Sequence, residues 1–230
     1  LFFSGDFEEA LRIYSGLPLN TFPSPVLAGT KYRMAVSMIR RGLFSEAAQE
    51  FAYLKQEEGY NGISRFYLAY ISYIQEDYRR ALYDFSQLPA DIASEMGADF
   101  YIAQIYFSGR MYERVLAMET QLMAAAERID SEERYARAEA LRLLGESAHA
   151  LGDSRRALSW LRRHASMHPD GGELSARYIV GASEYAEGNY SQAAEWMLPV
   201  SKEQNALAQS ALLYLGQCSA KTRDYSAAAI

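Results

Sequence analysis

The side chains able to do chemistry in this sequence are few and scattered. His164 and His168 stand four residues apart, which puts both imidazoles on one face of a helix and suits a metal that accepts ring nitrogens. No third or fourth ligand follows nearby, so the pair reads as a solvated face of an outer helix. Cys218 is the single cysteine. Alone it builds neither an internal disulfide nor a cysteine-based zinc site, and within an apolar helical stretch it reads as packing. Glu8-Glu9 and Glu57-Glu58 are sequence neighbours, and adjacent helical residues point apart, so neither pair can share a proton. Arg155, Arg156, Arg162 and Arg163 form a basic patch suited to an acidic partner, but Glu132, Glu133 and Glu139 nearby make it an ordinary solvated surface. Asn189-Tyr190-Ser191 fits a glycosylation acceptor, yet it falls on a recurring turn that accounts for it. The sequence contains no phosphate-binding glycine loop, nucleophile elbow or His-Glu zinc motif. It assigns no catalytic residue, no metal ligand and no cofactor, and the expectation is a protein that is not an enzyme.

The repeated feature is a turn. Gly5-Asp6-Phe7-Glu8-Glu9-Ala10 is echoed by Gly42 to Ala47, Glu76 to Ala81, Arg110 to Val115, Gly152 to Ala157, Gly188 to Ala193 and Arg223 to Ala228. The last residues of these segments are spaced by 37, 34, 34, 42, 36 and 35. Seven residues before each turn after the first stands a small residue: Ala35, Ala69, Ala103, Gly145, Gly181 and Gly216. A hydrophobic residue precedes each of them, and Tyr14, Phe51, Phe85 and Leu161 follow the turn alanines by four. Each position has a physical purpose. The first turn residue lets the chain leave a helix through a left-handed conformation, the aromatic plugs the junction, and the small residues let two helices approach.

Helices are therefore expected at about 7–17, 27–41, 44–57, 62–75, 78–87, 95–108, 112–129, 132–151, 154–167, 173–187, 190–200 and 206–221, with a fragment from 225. Pro23 and Pro25 make 20–25 the longest irregular linker. The 42-residue spacing predicts an extra turn on each of the continuous helices 112–129 and 132–151, with Asp130 and Glu133 as a capping box between them. Pro169 and Gly171-Gly172 mark a late loop.

A period near 34 residues with a helix-turn-helix unit resembles the tetratricopeptide repeat family over essentially the whole chain. The repeats are degenerate: the family's early tryptophan is missing, Val115 replaces the turn alanine, and Glu119 takes a place usually apolar. The resemblance implies an all-α fold, a right-handed superhelix of antiparallel helix pairs running through residues 1–230 as one array. It divides into a partial repeat at 1–17, repeats at about 28–61, 62–95, 96–129, 132–171 and 174–207, and an incomplete repeat at 209–230. In that family the first helix of each repeat lines a concave groove. Carried onto this sequence, the groove stripe falls on Tyr32, then Phe66, Tyr70 and Tyr73, then Phe100, Gln104 and Phe107, then Arg142, then Tyr178 and Tyr185. These rings suit either a binding groove or packing between helices. The positions where the best-known members hold a C-terminal carboxylate carry Tyr32, Val36, Phe66 and Tyr70 here, so an apolar peptide is expected instead.

Half of the residues are hydrophobic, enough for a continuous core between helix layers, and no apolar run approaches the roughly 18 residues that span a bilayer. The formal net charge of −6 disfavours nucleic acid as a partner. The expectation is a scaffold for a protein or peptide, with an accessory positioning region of a larger enzyme or envelope assembly as the alternative, and with self-association through unfinished ends open to it. A chain that begins at Leu1 inside a helix and stops at Ile230 just past a turn reads as part of a longer array. Long, tyrosine-rich arrays resemble those of bacterial cell-envelope proteins, which points to the periplasm ahead of the cytoplasm.

Overall fold

The computed structural model describes residues 5–129, 135–168 and 173–222. The seventh turn at 223–228, the capping box at 130–133 and the loop at 169–172 lie outside the described residues. Among those described there are fourteen α-helices, one 3-10 turn at Leu19–Thr21 and no strand. The chain divides into two compact units, one up to Ile105 and one from Tyr106. Unit 1 holds α1 (Phe7–Ser15), α2 (Ser24–Arg40), α3 (Phe44–Leu54), α4 (Asn61–Ile74), α5 (Tyr78–Ser86), α6 (Ala90–Glu95) and most of α7 (Ala98–Ser108). Unit 2 continues with α8 (Tyr112–Ala117), α9 (Glu119–Ile129), α10 (Tyr135–Ala150), α11 (Ser154–Ser166), α12 (Leu174–Ala186), α13 (Tyr190–Val200) and α14 (Ala206–Thr222).

The recurring turn shares one backbone feature at its six described occurrences. Gly5, Gly42, Glu76, Arg110, Gly152 and Gly188 all sit at positive φ. In five of the six, the next residue's N–H reaches back five residues (Leu43 to Met38, Asp77 to Ser72, Met111 to Tyr106, Asp153 to Ala148, Asn189 to Glu184), and the turn residue's own N–H reaches back three. That is a Schellman closure, which satisfies the last carbonyls of one helix and launches the next. Where the launching residue is aspartate, its carboxylate also accepts the first free amide: Asp6 from Glu9, Asp77 from Arg80, Asp153 from Arg156. Each turn's sixth residue, Ala10, Ala47, Ala81, Val115, Ala157 and Ala193, is buried.

Packing is chiefly between consecutive helices, α2 on α3, α4 on α5, α10 on α11, α12 on α13 and α13 on α14, with α12 also touching α14. The core of unit 1 centres on Phe51 and Leu54, and then on Phe66 and Phe85. That of unit 2 centres on Leu161 and Val180, and then on Met197 and Val200. Burying each such side chain is worth about 1.5–3 kcal/mol.

Three expected boundaries are corrected. Pro25 does not belong to the linker. It lies in the first turn of α2, where a missing N–H costs nothing and a fixed φ favours the helix. A short helix, α6, precedes α7, and Gly97 at φ 65 separates them. The stretch 112–129 is not continuous. Met118, at φ −95 and ψ 10, tightens onto the carbonyls of Arg114 and Val115 and divides α8 from α9. Glu119 follows this break partly exposed and pairs loosely with Arg156 at 3.9 Å, while Leu122, fully buried, carries the packing.

Candidate functional site

Within unit 1 the stripe expected from the repeat frame resolves into two depths. Phe66 and Phe100 are each only 4% exposed. As side chains they are core, which corrects their expected place on an open groove: Phe66 lies among Phe85, Tyr67, Tyr70 and Tyr101 at ring separations of 5.6 to 6.4 Å. Tyr32, Tyr70, Tyr73 and Gln104 are half-buried. Tyr70 and Tyr73 rings stand 6.3 Å apart, and the Tyr73 hydroxyl donates to Oε1 of Gln104. Burial pushes the Tyr32 and Tyr70 phenols above the ordinary tyrosine value, neighbouring phenols adding to the shift at Tyr32 and the Arg40 charge opposing it at Tyr70. At neutral pH these hydroxyls are therefore protonated donors and acceptors, not bases.

The frame also contained residues that a stripe of groove positions passes over. Tyr67 and Tyr101 occupy the place two before the small residue, as Tyr214 does in the last helix. Tyr67 stacks on Phe51 at 4.6 Å, and Tyr101 stacks on Phe85 at 5.9 Å while standing edge-on to Tyr70 at 5.2 Å and Tyr73 at 5.3 Å. Burial raises the Tyr101 phenol as well. Their shared register was the signal that could have found them.

In unit 2 the expected residues form two separate groups. The Arg142 guanidinium lies 5.3 Å from the Phe107 ring centroid. Glu139 accepts from its Nε at 2.8 Å and its Nη2 at 2.7 Å, and Glu146 pairs with Nη1 at 3.0 Å. Hydrogen bonding by Glu139 raises the Arg142 pKa further, so this is a fixed cation. Tyr178 and Tyr185 meet over Tyr214, edge-on at 5.9 Å and 5.2 Å. Both groups are half-buried.

The residues with chemical potential are placed otherwise than expected in one case. His164 is not on a solvated face: it is 3% exposed, with Nδ1 at 2.9 Å from the Ala138 carbonyl. It continues the buried row of Ala157 and Leu161 on α11, a helix covered by both α10 and α12, and that three-and-four spacing was visible in the sequence. His168 is exposed, its ring 4.7 Å from that of His164. Cys218 is buried in α14, and burial pushes its thiol pKa up, away from the reactive thiolate. Glu184 is fully buried. Its carboxylate pairs with Arg162 and accepts from Asn189 Nδ2 at 2.9 Å, tying α12 to α11 and to the turn that follows it. Among the described residues no group of three or more histidine, cysteine or acidic side chains could hold a metal ion, and no helix is long and apolar enough to cross a membrane. No family model matches the chain, and no curated protein matches it.

Proposed function

We propose that this chain is a non-enzymatic interaction scaffold of the tetratricopeptide kind. In this reading it is a right-handed α-solenoid whose helix pairs hold a peptide or protein segment. The observation that carries the proposal is a run of half-buried side chains in unit 1: Tyr70 beside the sunken Phe66, Tyr73 beside Tyr70 and bonded to Gln104, and Tyr32 beside Tyr67. Rings of this kind offer broad contact at small ordering cost, and protonated phenols can pair with a backbone carbonyl of a bound segment. A helical or extended segment with apolar side chains fits such a face. Arg142 with Phe107, and Tyr178 with Tyr185, supply further polar and aromatic contact within unit 2.

The test is selection from a displayed peptide library on the purified chain, repeated on the double variant Tyr70→Ala, Tyr73→Ala. Selected peptides are expected to share spaced apolar residues and to lose about tenfold or more in affinity on the variant, the equivalent of one well-packed contact pair, while far-UV circular dichroism is retained. Equal affinity on both proteins would show these rings to be packing and would end the proposal.

A further inference from the structure

A cleft of about 290 Å³ opens in unit 1 among the C-terminal end of α3, α4 and α5. None of the tyrosine-face residues lines it. Its walls carry Lys55, Arg65 and Arg80 against one carboxylate, Asp84, on a chain whose formal net charge is −6. Arg80 is loosely engaged, its Nε 3.6 Å from Asp84 Oδ2. Arg65 is held in place: Asn61 Nδ2 donates to the Lys55 carbonyl at 2.6 Å, and Asn61 Oδ1 accepts from Arg65 Nε at 3.0 Å. One amide thus ties the end of α3 to α4 and orients the guanidinium through its inner nitrogen. The terminal nitrogens of Arg65 and the Lys55 ammonium have no hydrogen bond or ion pair to another described residue. Both residues are half-buried, and an oriented guanidinium beside an ammonium in one cleft favours an anion that arrives from outside. Leu68 supplies an apolar floor, and Tyr83, 66% exposed, a ring at the rim.

We infer that this cleft is a docking site for an acidic peptide segment, distinct from the tyrosine face. One carboxylate seats against Arg65 and Lys55, and the adjoining apolar stem lies over Leu68 and Tyr83. The volume is at the lower edge of the roughly 300–1,000 Å³ of small-molecule pockets, which suits a side chain and its neighbour better than a nucleotide. Two cations without a partner among the described residues also differ from the extended basic track that nucleic acid needs.

The experiment is fluorescence anisotropy of the purified chain with three labelled peptides of one length: repeats of Glu-Leu-Glu-Gly, the same with glutamine for glutamate, and the same with phosphoserine for glutamate. The glutamate peptide is expected to bind about tenfold more tightly than the glutamine peptide, the worth of one charge-assisted hydrogen bond. Arg65→Gln and Lys55→Gln should each remove most of that margin. Arg65→Lys should be intermediate, because it keeps the charge and loses the oriented fork. Arg155→Gln, in unit 2, should change nothing. Lys55→Gln, at a helix end, carries the test if circular dichroism shows Arg65→Gln to be unfolded. Equal binding of the glutamate and glutamine peptides, no detectable binding of the glutamate peptide, or equal loss from Arg155→Gln and Arg65→Gln would each overturn the site. A phosphoserine peptide that binds much more tightly than the glutamate peptide would overturn the carboxylate assignment in favour of phosphate.

Discussion

The two units close the same helix pair with different side chains. In unit 1 the small residue of the first helix is alanine and the residue sixteen positions later is phenylalanine, Ala35 with Phe51 and Ala69 with Phe85. In unit 2 it is glycine with a thinner aliphatic partner, Gly145 with Leu161 and Gly181 with Met197. A Cβ on Gly145 would come within 2.4 Å of Leu161 Cγ, and one on Gly181 within 3.0 Å of Met197. Leucine and methionine thus occupy the space that an added methyl would need. The exchange has consequences beyond volume. Phenylalanine at the junction recruits further rings, and unit 1 becomes a network of half-buried tyrosines. Beside the aliphatic junctions of unit 2 stand ion pairs, Arg142 between Glu139 and Glu146 and Glu184 beneath Arg162, with the smaller ring group of Tyr178, Tyr185 and Tyr214.

The strongest way to break this comparison is to empty the junctions. Phe51→Ala should cost about 3–5 kcal/mol and Leu161→Ala about 2–5 kcal/mol by urea denaturation. An aliphatic loss clearly exceeding the aromatic one would mean that the rings of unit 1 are not its main support. Next comes overfilling. Gly145→Ala should destabilise by about 1–3 kcal/mol from crowding against Leu161, reduced by up to about 1 kcal/mol of gained helix propensity, and Leu161→Val in the same chain should recover part of the loss. Gly216→Ala, which would meet nothing within 4 Å among the described residues, should instead stabilise by about 0.5–1 kcal/mol. The turns sharpen the comparison from the other side, because they are common to both units. Glu76 and Arg110 hold left-handed conformations without being glycine, at φ 61 and 56. Glu76→Gly and Arg110→Gly should each raise the melting temperature, by an amount equivalent to about 1 kcal/mol, and should do so alike.

The smallest expected effect is in pH. Burial raises the Tyr32 and Tyr101 phenols of unit 1. The folded state then holds its protons more tightly than the unfolded one, so this stability is intact below about pH 10 and is lost as pH rises above it. In unit 2 burial lowers His149. The unfolded state takes up the proton first, so that contribution is present above about pH 6.5 and falls away as pH drops below it. Tyrosinate absorbance followed through unfolding should report the alkaline loss, to which the raised Tyr214 phenol of unit 2 also contributes, and histidine proton shifts should report the acid loss at His149.

The period of the turns, the small and bulky positions around them, and the helices they separate could be read from residue types alone. A left-handed turn residue, an aspartate cap and an apolar stripe act over a few positions, and local sterics and hydrogen bonding decide them before any distant contact forms. The break at Met118 and the start of α2 on Pro25 were less legible, since boundaries depend on how each helix end is satisfied. Depth was decided by the tertiary structure. Phe66 and Tyr70, four apart on one helix, differ in exposure because neighbouring helices cover one fully and the other only in part. His164 went inside for the same reason, and Arg65 gained its orientation from an asparagine whose other hydrogen bond closes a loop. Burial is a property of what surrounds a residue, and only the assembled helices supply the surroundings.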